Sequence, residues 1–236
     1  MAEGPTSLEA RIAEIRERIG RAALRAGRDP AGVRLIGVTK THPVEVAAEA
    51  VAAGLLDLGE NRVDELVAKQ GEVDARWHLI GRLQRNKVRD VVGRAALVHS
   101  VDRRSLVDAL GGRAVAQGVV QDVLVQVNVA GDPAKGGCSL AEVPALVSYA
   151  AGAPGVRVVG LMTVPPLPGA GEEPGAAARP WFRALREVRD RLRAEHEGLE
   201  ELSMGMSDDL EVAVEEEATM VRIGSALFGS RGEGAR

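Results

Sequence analysis

The sequence predicts a closed barrel of eight parallel strands alternating with helices, a (β/α)8 TIM barrel, with one extra helix at its N-terminus. Three observations carry that prediction. Apolar runs recur near residues 33–39, 55–59, 77–80, 96–101, 120–129, 156–164, 200–205 and 220–228, and the stretches between them read as helices. At 236 residues the chain has about the length such a barrel needs. The first run ends in Val38-Thr39-Lys40-Thr41-His42-Pro43, without the glycine-rich turn that usually opens the runner-up architecture, a doubly wound open sheet.

The elements come in order. Thr6 and Glu9 have capping-box spacing, Leu8, Ile12, Ile15 and Ile19 share one helical face, and Gly27 supplies a stop. The eight strand and helix pairs come next. One segment breaks the rhythm: residues 165–180, PPLPGAGEEPGAAARP, read as a mobile loop after the sixth strand, leading into a helix from about Trp181 to Glu195. The rhythm resumes afterwards, so the loop is not a linker and residues 1–236 read as one domain.

Hydrophobic residues make up 45% and charged residues 27%, the profile of a soluble globular protein. A net charge of -4 argues against a general nucleic-acid binder, and 2% aromatic residues are too few for base-stacking platforms. Cys138 is the only cysteine, which excludes an intrachain disulfide and suits a reducing compartment. The start, MAEGPTSLEARIAEI, lacks the basic and apolar regions of a secretory signal, and no apolar run is long enough to span a bilayer. A cytoplasmic protein without membrane or nucleic-acid partners is expected.

Lys40 ends the first apolar run, where a strand hands over to a loop. An amine held at the mouth of an apolar barrel, partly removed from water, loses affinity for its proton and attacks carbonyls. On position alone, a strand-end lysine with a wet head is the commoner case. In such barrels the ligand sits at the C-terminal ends of the strands, with phosphate held by the loops after strands seven and eight. Ser203-Met204-Gly205-Met206-Ser207-Asp208-Asp209 follows the seventh run, and Ser207 is placed to cap the next helix. Asp208 and Asp209 oppose an anion there unless they point away. Arg222-Ile223-Gly224-Ser225 follows the eighth. Either loop alone is equally a plain turn. Together with Lys40 they suggest one ligand bearing an aldehyde and a phosphate, and pyridoxal 5′-phosphate (PLP) fits.

LIGVTKTHP, GLLDLGENRVDEL, WHLIGRLQRNKV, HSVDR and LSMGMSDDLEVAVEEEATMVRIGSALFG together resemble the PLP homeostasis proteins, from about residue 8 to residue 230. That family is similar to the barrel domain of alanine racemase and to fold type III PLP proteins. The resemblance implies that Lys40 carries PLP as a Schiff base. It implies that Ser203, Gly205, Ser207, Gly224 and Ser225 hold the phosphate, with serine at 225 where the family usually has threonine, and that Met204 and Met206 between them also belong to the cofactor site. Arg222 would lie near the pyridine nitrogen, and strand alternation puts it on the same face as Gly224. A guanidinium accepts no proton, so the ring would be a weak electron sink. For an isolated strand arginine, pairing with Glu215-Glu216-Glu217 is the structural alternative, and that acid run itself reads as a solvated helix face.

Asn61 is placed to donate to the cofactor's phenolic oxygen, or to form a turn. His78 and Gln84, around the third strand end, are candidates for ligand contact, although a satisfied interior histidine is the commoner role for His78. His42 carries little weight. The histidines and cysteine show no metal-ligand spacing, and Cys138 reads as an ordinary loop cysteine.

Two readings from different classes remain. The first is a carrier that holds and supplies PLP, with free amino acids and apo-enzymes as transient partners and the protein itself a monomer. The second is an amino-acid racemase, which needs two positioned bases. Alanine racemase draws its second base, a tyrosine, from a further domain for which this chain has no room. Tyr149, the only tyrosine, falls in an outer helix. The carrier is preferred, with at most a slow racemase-like side activity. A class I aldolase would share the lysine but leave the protein colourless.

Overall fold

The computed structural model describes residues 7–229. Helix α1, Leu8–Arg25, buries Leu8, Ile12, Ile15 and Ile19 and ends before Gly27, whose φ of +67° suits glycine. Ser7 is its cap, accepting from the Ala10 N–H at 3.2 Å. Thr6 lies outside the described residues.

The strands are β1 (Arg34–Val38), β2 (Asp57–Glu60), β3 (Arg76–Leu79), β4 (Leu97–Val101), β5 (Gln121–Asn128), β6 (Cys138–Ser139), β7 (Val156–Met162), β8 (Glu201–Ser203) and β9 (Met220–Ile223). They run β4-β3-β2-β1-β9-β8-β7-β5, every pairing is parallel, and β4 also pairs with β5. That last pairing closes the cylinder and removes its edges. The two-residue β6 is an appendage on the C-terminal end of β5 and places Cys138 in a strand rather than a loop. The barrel's seventh and eighth strands are therefore β8 and β9.

Two apolar layers hold the barrel. Ile36, Leu97, Leu124, Met162 and Met220 fill its interior. A larger outer cluster, with Trp77, Leu106, Leu110 and Phe182 among its largest buried side chains, cements the strands to the helices. Alternation along β3 sends Trp77 outward and His78 inward.

Two elements differ from the sequence reading. Helix α6 spans Pro174–Leu192 and so starts within the supposed loop 165–180. The Glu173 side chain caps the Ala176 N–H at 2.6 Å, and Pro174 needs no partner in the first turn. The final run 220–228 divides: β9 stops at Ile223, and the short helix α8 occupies Ser225–Phe228.

The acid run is not a solvated face. Glu216 is buried and meets Arg179, Arg183 and Arg186, while Glu215 pairs with Arg25 and Arg179, and Glu217 with Arg189. These pairs bind α6, and through Arg25 also α1, to helix α7, Leu210–Glu215, and to the turn after it. Among the described residues no helix is long and apolar enough to cross a membrane.

Candidate functional site

A cavity of about 510 Å³ opens at the C-terminal ends of the strands, within the range of small-molecule sites. Each wall comes from a strand end. Beyond β1 the chain stays buried through Thr39 and then turns sharply, with Thr41 at φ +66°. Lys40, Thr41 and His42 line this side. Asn61 follows β2, and Ile80 follows β3. Gly81 makes that approach possible, because a Cβ there would stand 2.0 Å from the Asn61 carbonyl oxygen.

Met206 and Ser207, after β8, form another wall beside Arg222, Gly224 and Ser225. The hydroxyls of Ser207 and Ser225 stand 3.5 Å apart. Ser207 does not cap α7, because Asp209 occupies that position. The Asp209 carboxylate turns back onto its own loop, accepting the Met206 N–H at 2.6 Å. Burial raises the pKa of Asp209, while Asp208 is exposed, and neither lines the cavity. The acids that would repel an anion are thus directed elsewhere.

Arg222 is 4% exposed and forms part of the floor. Its guanidinium donates to Ser203 Oγ at 2.7 Å and to the Thr163 carbonyl at 2.9 Å. Burial lowers its pKa to about 10, which leaves it cationic at neutral pH. It does not pair with the acid run, whose arginines come from α1 and α6.

Below Arg222 a chain of hydrogen bonds crosses the barrel interior. Ser203 Oγ meets His99 Nδ1 at 2.9 Å, His99 Nε2 meets His78 Nδ1 at 2.9 Å, and His78 Nε2 meets Asp57 Oδ1 at 3.1 Å. Burial pushes both histidines below their ordinary value, His99 far below. Burial opposes ionisation of Asp57, but hydrogen bonds from His78 and Arg76 outweigh it and hold the carboxyl down. An anionic Asp57 makes His78 Nε2 a donor, and each partner in turn then donates toward Asp57.

Among the sequence candidates, Lys40, Asn61, Met206, Ser207, Arg222, Gly224 and Ser225 meet at one cavity. His78, Ser203, Met204 and Gly205 do not line it. His78 and Ser203 belong to the interior chain, Met204 is buried in the outer core, and Gly205 makes the turn at φ +97°. Gln84 precedes a short 3-10 turn and does not line the cavity either. Lys40 is exposed rather than partly withdrawn from water.

Sequence reasoning undervalued His42, which is half-buried in the wall with its ring 5.7 Å from Phe228. Burial lowers its pKa, as does the nearby charge of Lys69. Its place two residues after Lys40 was the available signal. His99, in the HSVDR motif, received no role. Tyr149 lies on helix α5, Val143–Ala151, where its hydroxyl donates to Asp108 at 2.6 Å and Arg104 stacks 4.9 Å from its ring centre.

Residues 11–232 match the family model for the alanine racemase N-terminal domain. The pyridoxal phosphate homeostasis protein of Aquifex aeolicus is 47% identical, with 94% of this chain and 97% of the relative covered. That of Pseudomonas aeruginosa is 44% identical, covering 95% and 96%. The chain belongs to the pyridoxal phosphate homeostasis protein family. Among solved structures of similar proteins, PipY of Synechococcus elongatus with PLP bound superposes with a TM-score of 0.82 at 35% identity, covering 94% of this chain and all of PipY. Alanine racemase of Clostridium difficile, at 14% identity and a TM-score of 0.72, shares the barrel, which spans 61% of that enzyme. Membership of the pyridoxal phosphate homeostasis family thus covers nearly the whole chain, whereas the racemase likeness concerns the fold alone.

Proposed function

We propose that this chain binds PLP in the strand-end cavity, with Lys40 as its covalent anchor, and serves vitamin B6 homeostasis by holding and supplying the cofactor. The carrying observation is that one cavity brings together the Lys40 amine, the Ser207 and Ser225 hydroxyls and the Arg222 guanidinium. The residues fit the group. An amine is what an aldehyde needs, two hydroxyls and the leading N–H groups of α8 suit a phosphate, and Arg222 offers donors to a ring nitrogen. PLP bound here would supply an aldehyde that condenses reversibly with amines.

The chain's own residues decide between storage and catalysis. Arg222 only donates, so it would pair with the lone pair of an unprotonated ring nitrogen and offer no acceptor to a protonated one, which favours storage over carbanion chemistry. Its links to Ser203 and Thr163 keep that donor fixed. The solvent-facing position of Lys40 suits exchange with incoming amines or recipient apo-enzymes. The same reading makes the protein a cytoplasmic monomer.

An absorption spectrum with borohydride trapping tests the reading. The protein should be yellow, and reduction should fix one cofactor to Lys40. Lys40→Ala should lose the fixed cofactor while retaining weaker, phosphate-held PLP. Transfer to an apo-enzyme without turnover of amino acids is the expected second result. A colourless protein with added PLP, or rapid turnover of one amino acid, would overturn the proposal.

A further inference from the structure

Both neighbours of Lys40 are held by one group of side chains outside the cavity, two of them buried and the third half-buried. Thr39 Oγ1 donates to Glu60 Oε1 at 2.6 Å, and Lys69 Nζ donates to the Thr39 carbonyl at 2.7 Å and to Glu60 Oε1 at 2.6 Å. On the other flank, the Thr41 N–H donates to Glu65 Oε2 at 3.0 Å. Glu60 ends β2, whereas Glu65 and Lys69 stand one turn apart on helix α3, Val63–Gln70. Glu60 is fully buried, and Lys69 is 5% exposed.

Such burial is costly, and the fold accepts it next to a backbone that would otherwise relax. Threonine is β-branched, and a positive φ is a strained state for it that persists only where its surroundings enforce it. The Thr41 conformation is what turns the chain so that Lys40 lines the cavity.

We propose that Glu60, Glu65 and Lys69 are positioning residues that clamp Thr39 and Thr41 and so aim the Lys40 amine into the cavity. This rests on the reading of Lys40 as the cofactor lysine. Burial raises Glu60 despite the pull of Lys69 and Thr39, whereas for Glu65 burial is outweighed by the Thr41 N–H and by contact with Glu60, which hold it down. Glu60 Oε2 is buried without a hydrogen-bond partner, so Lys69 and Thr39 hold this carboxyl through its other oxygen alone. Arg62, 3.8 Å from Glu65 Oε1, is the exposed cation facing the pair.

The test compares Glu65→Ala with Glu65→Gln, which keeps an acceptor for the Thr41 N–H. Hydrogen exchange without cofactor should show the Thr41 amide exchanging at least roughly tenfold faster in Glu65→Ala and near the parent rate in Glu65→Gln. With PLP added, the rate of borohydride-trappable attachment should fall on the order of tenfold or more in Glu65→Ala, because misaimed groups react slowly. Affinity for inorganic phosphate should stay unchanged, which separates misaiming from general damage. Parent-like exchange and attachment in Glu65→Ala would overturn the clamp. If Glu65→Ala does not fold, Lys69→Met is judged by the same attachment rate and phosphate affinity. Should the parent protein itself take up no PLP, the Lys40 reading falls, and amide exchange still decides whether the clamp exists.

Discussion

The guanidinium of Arg222 donates to Ser203 Oγ at 2.7 Å, joining the cation of the cavity floor to a serine inside the barrel. Ser203 is thereby a support rather than a wall of the site. Ser203→Ala removes the oxygen that both Arg222 and His99 use, leaving buried polar groups unpaired. The expected loss is about 1–3 kcal/mol of stability, read from urea unfolding. A variant as stable as its parent would mean that the interior chain contributes nothing.

The same chain makes stability depend on pH. Burial, the first influence on each, depresses His78 and His99 in the folded state. As pH falls through about 6.5, the unfolded chain therefore binds protons that the folded one refuses. The contribution is complete above that point and declines below it, by at most about 1.4 kcal/mol per pH unit for each histidine. Glu60, raised by burial, acts in the opposite sense as it gains its proton, so the comparison uses a His99→Asn variant. Urea midpoints at pH 7.5, 6 and 5 should fall more steeply in the parent than in that variant. Equal slopes would contradict the neutral-histidine assignment.

Ser207 and Ser225, 3.5 Å apart, should act on the same anion. Each single change to alanine is expected to weaken phosphate or PLP binding by about 1 kcal/mol, roughly fivefold. Titration calorimetry on Lys40→Ala protein removes the covalent contribution from the measurement. Binding that is indifferent to both substitutions would place the anion elsewhere.

Gly81 lets the β3 exit pass under the Asn61 backbone. Gly81→Ala should displace that loop and cost at least about 1–3 kcal/mol, as overpacking does. Thermal melting reads the cost. A shifted PLP spectrum in the same variant would report the movement of Asn61, and an unchanged melting point would show that the loop yields freely.

The barrel was legible because eight apolar runs of strand length alternate with helical patterns, and tertiary closure only had to connect them. The start of α6 was hidden because Pro174, Gly175 and Pro180 read as loop formers, whereas the cap that starts the helix is the side chain of Glu173. At the site, motif order located the loops but not their depth. Ser203 and Ser207 are four residues apart in one motif, yet one lies inside the barrel and the other at its mouth. The clamp on Thr39 and Thr41 joins residues from β2 and α3, a three-dimensional grouping that no local pattern displays. Glu216 read as solvated because its arginine partners on α6 are distant in sequence.

The one-way run of donors from Arg222 to Asp57 gives the cylinder a polarity. Its cationic pole faces the open mouth, and its anionic pole sits at the opposite end, where Arg76 and Arg34 balance Asp57. With Lys40 and Arg222 as the only formal charges among its described lining side chains, the entrance is built to draw in negatively charged guests.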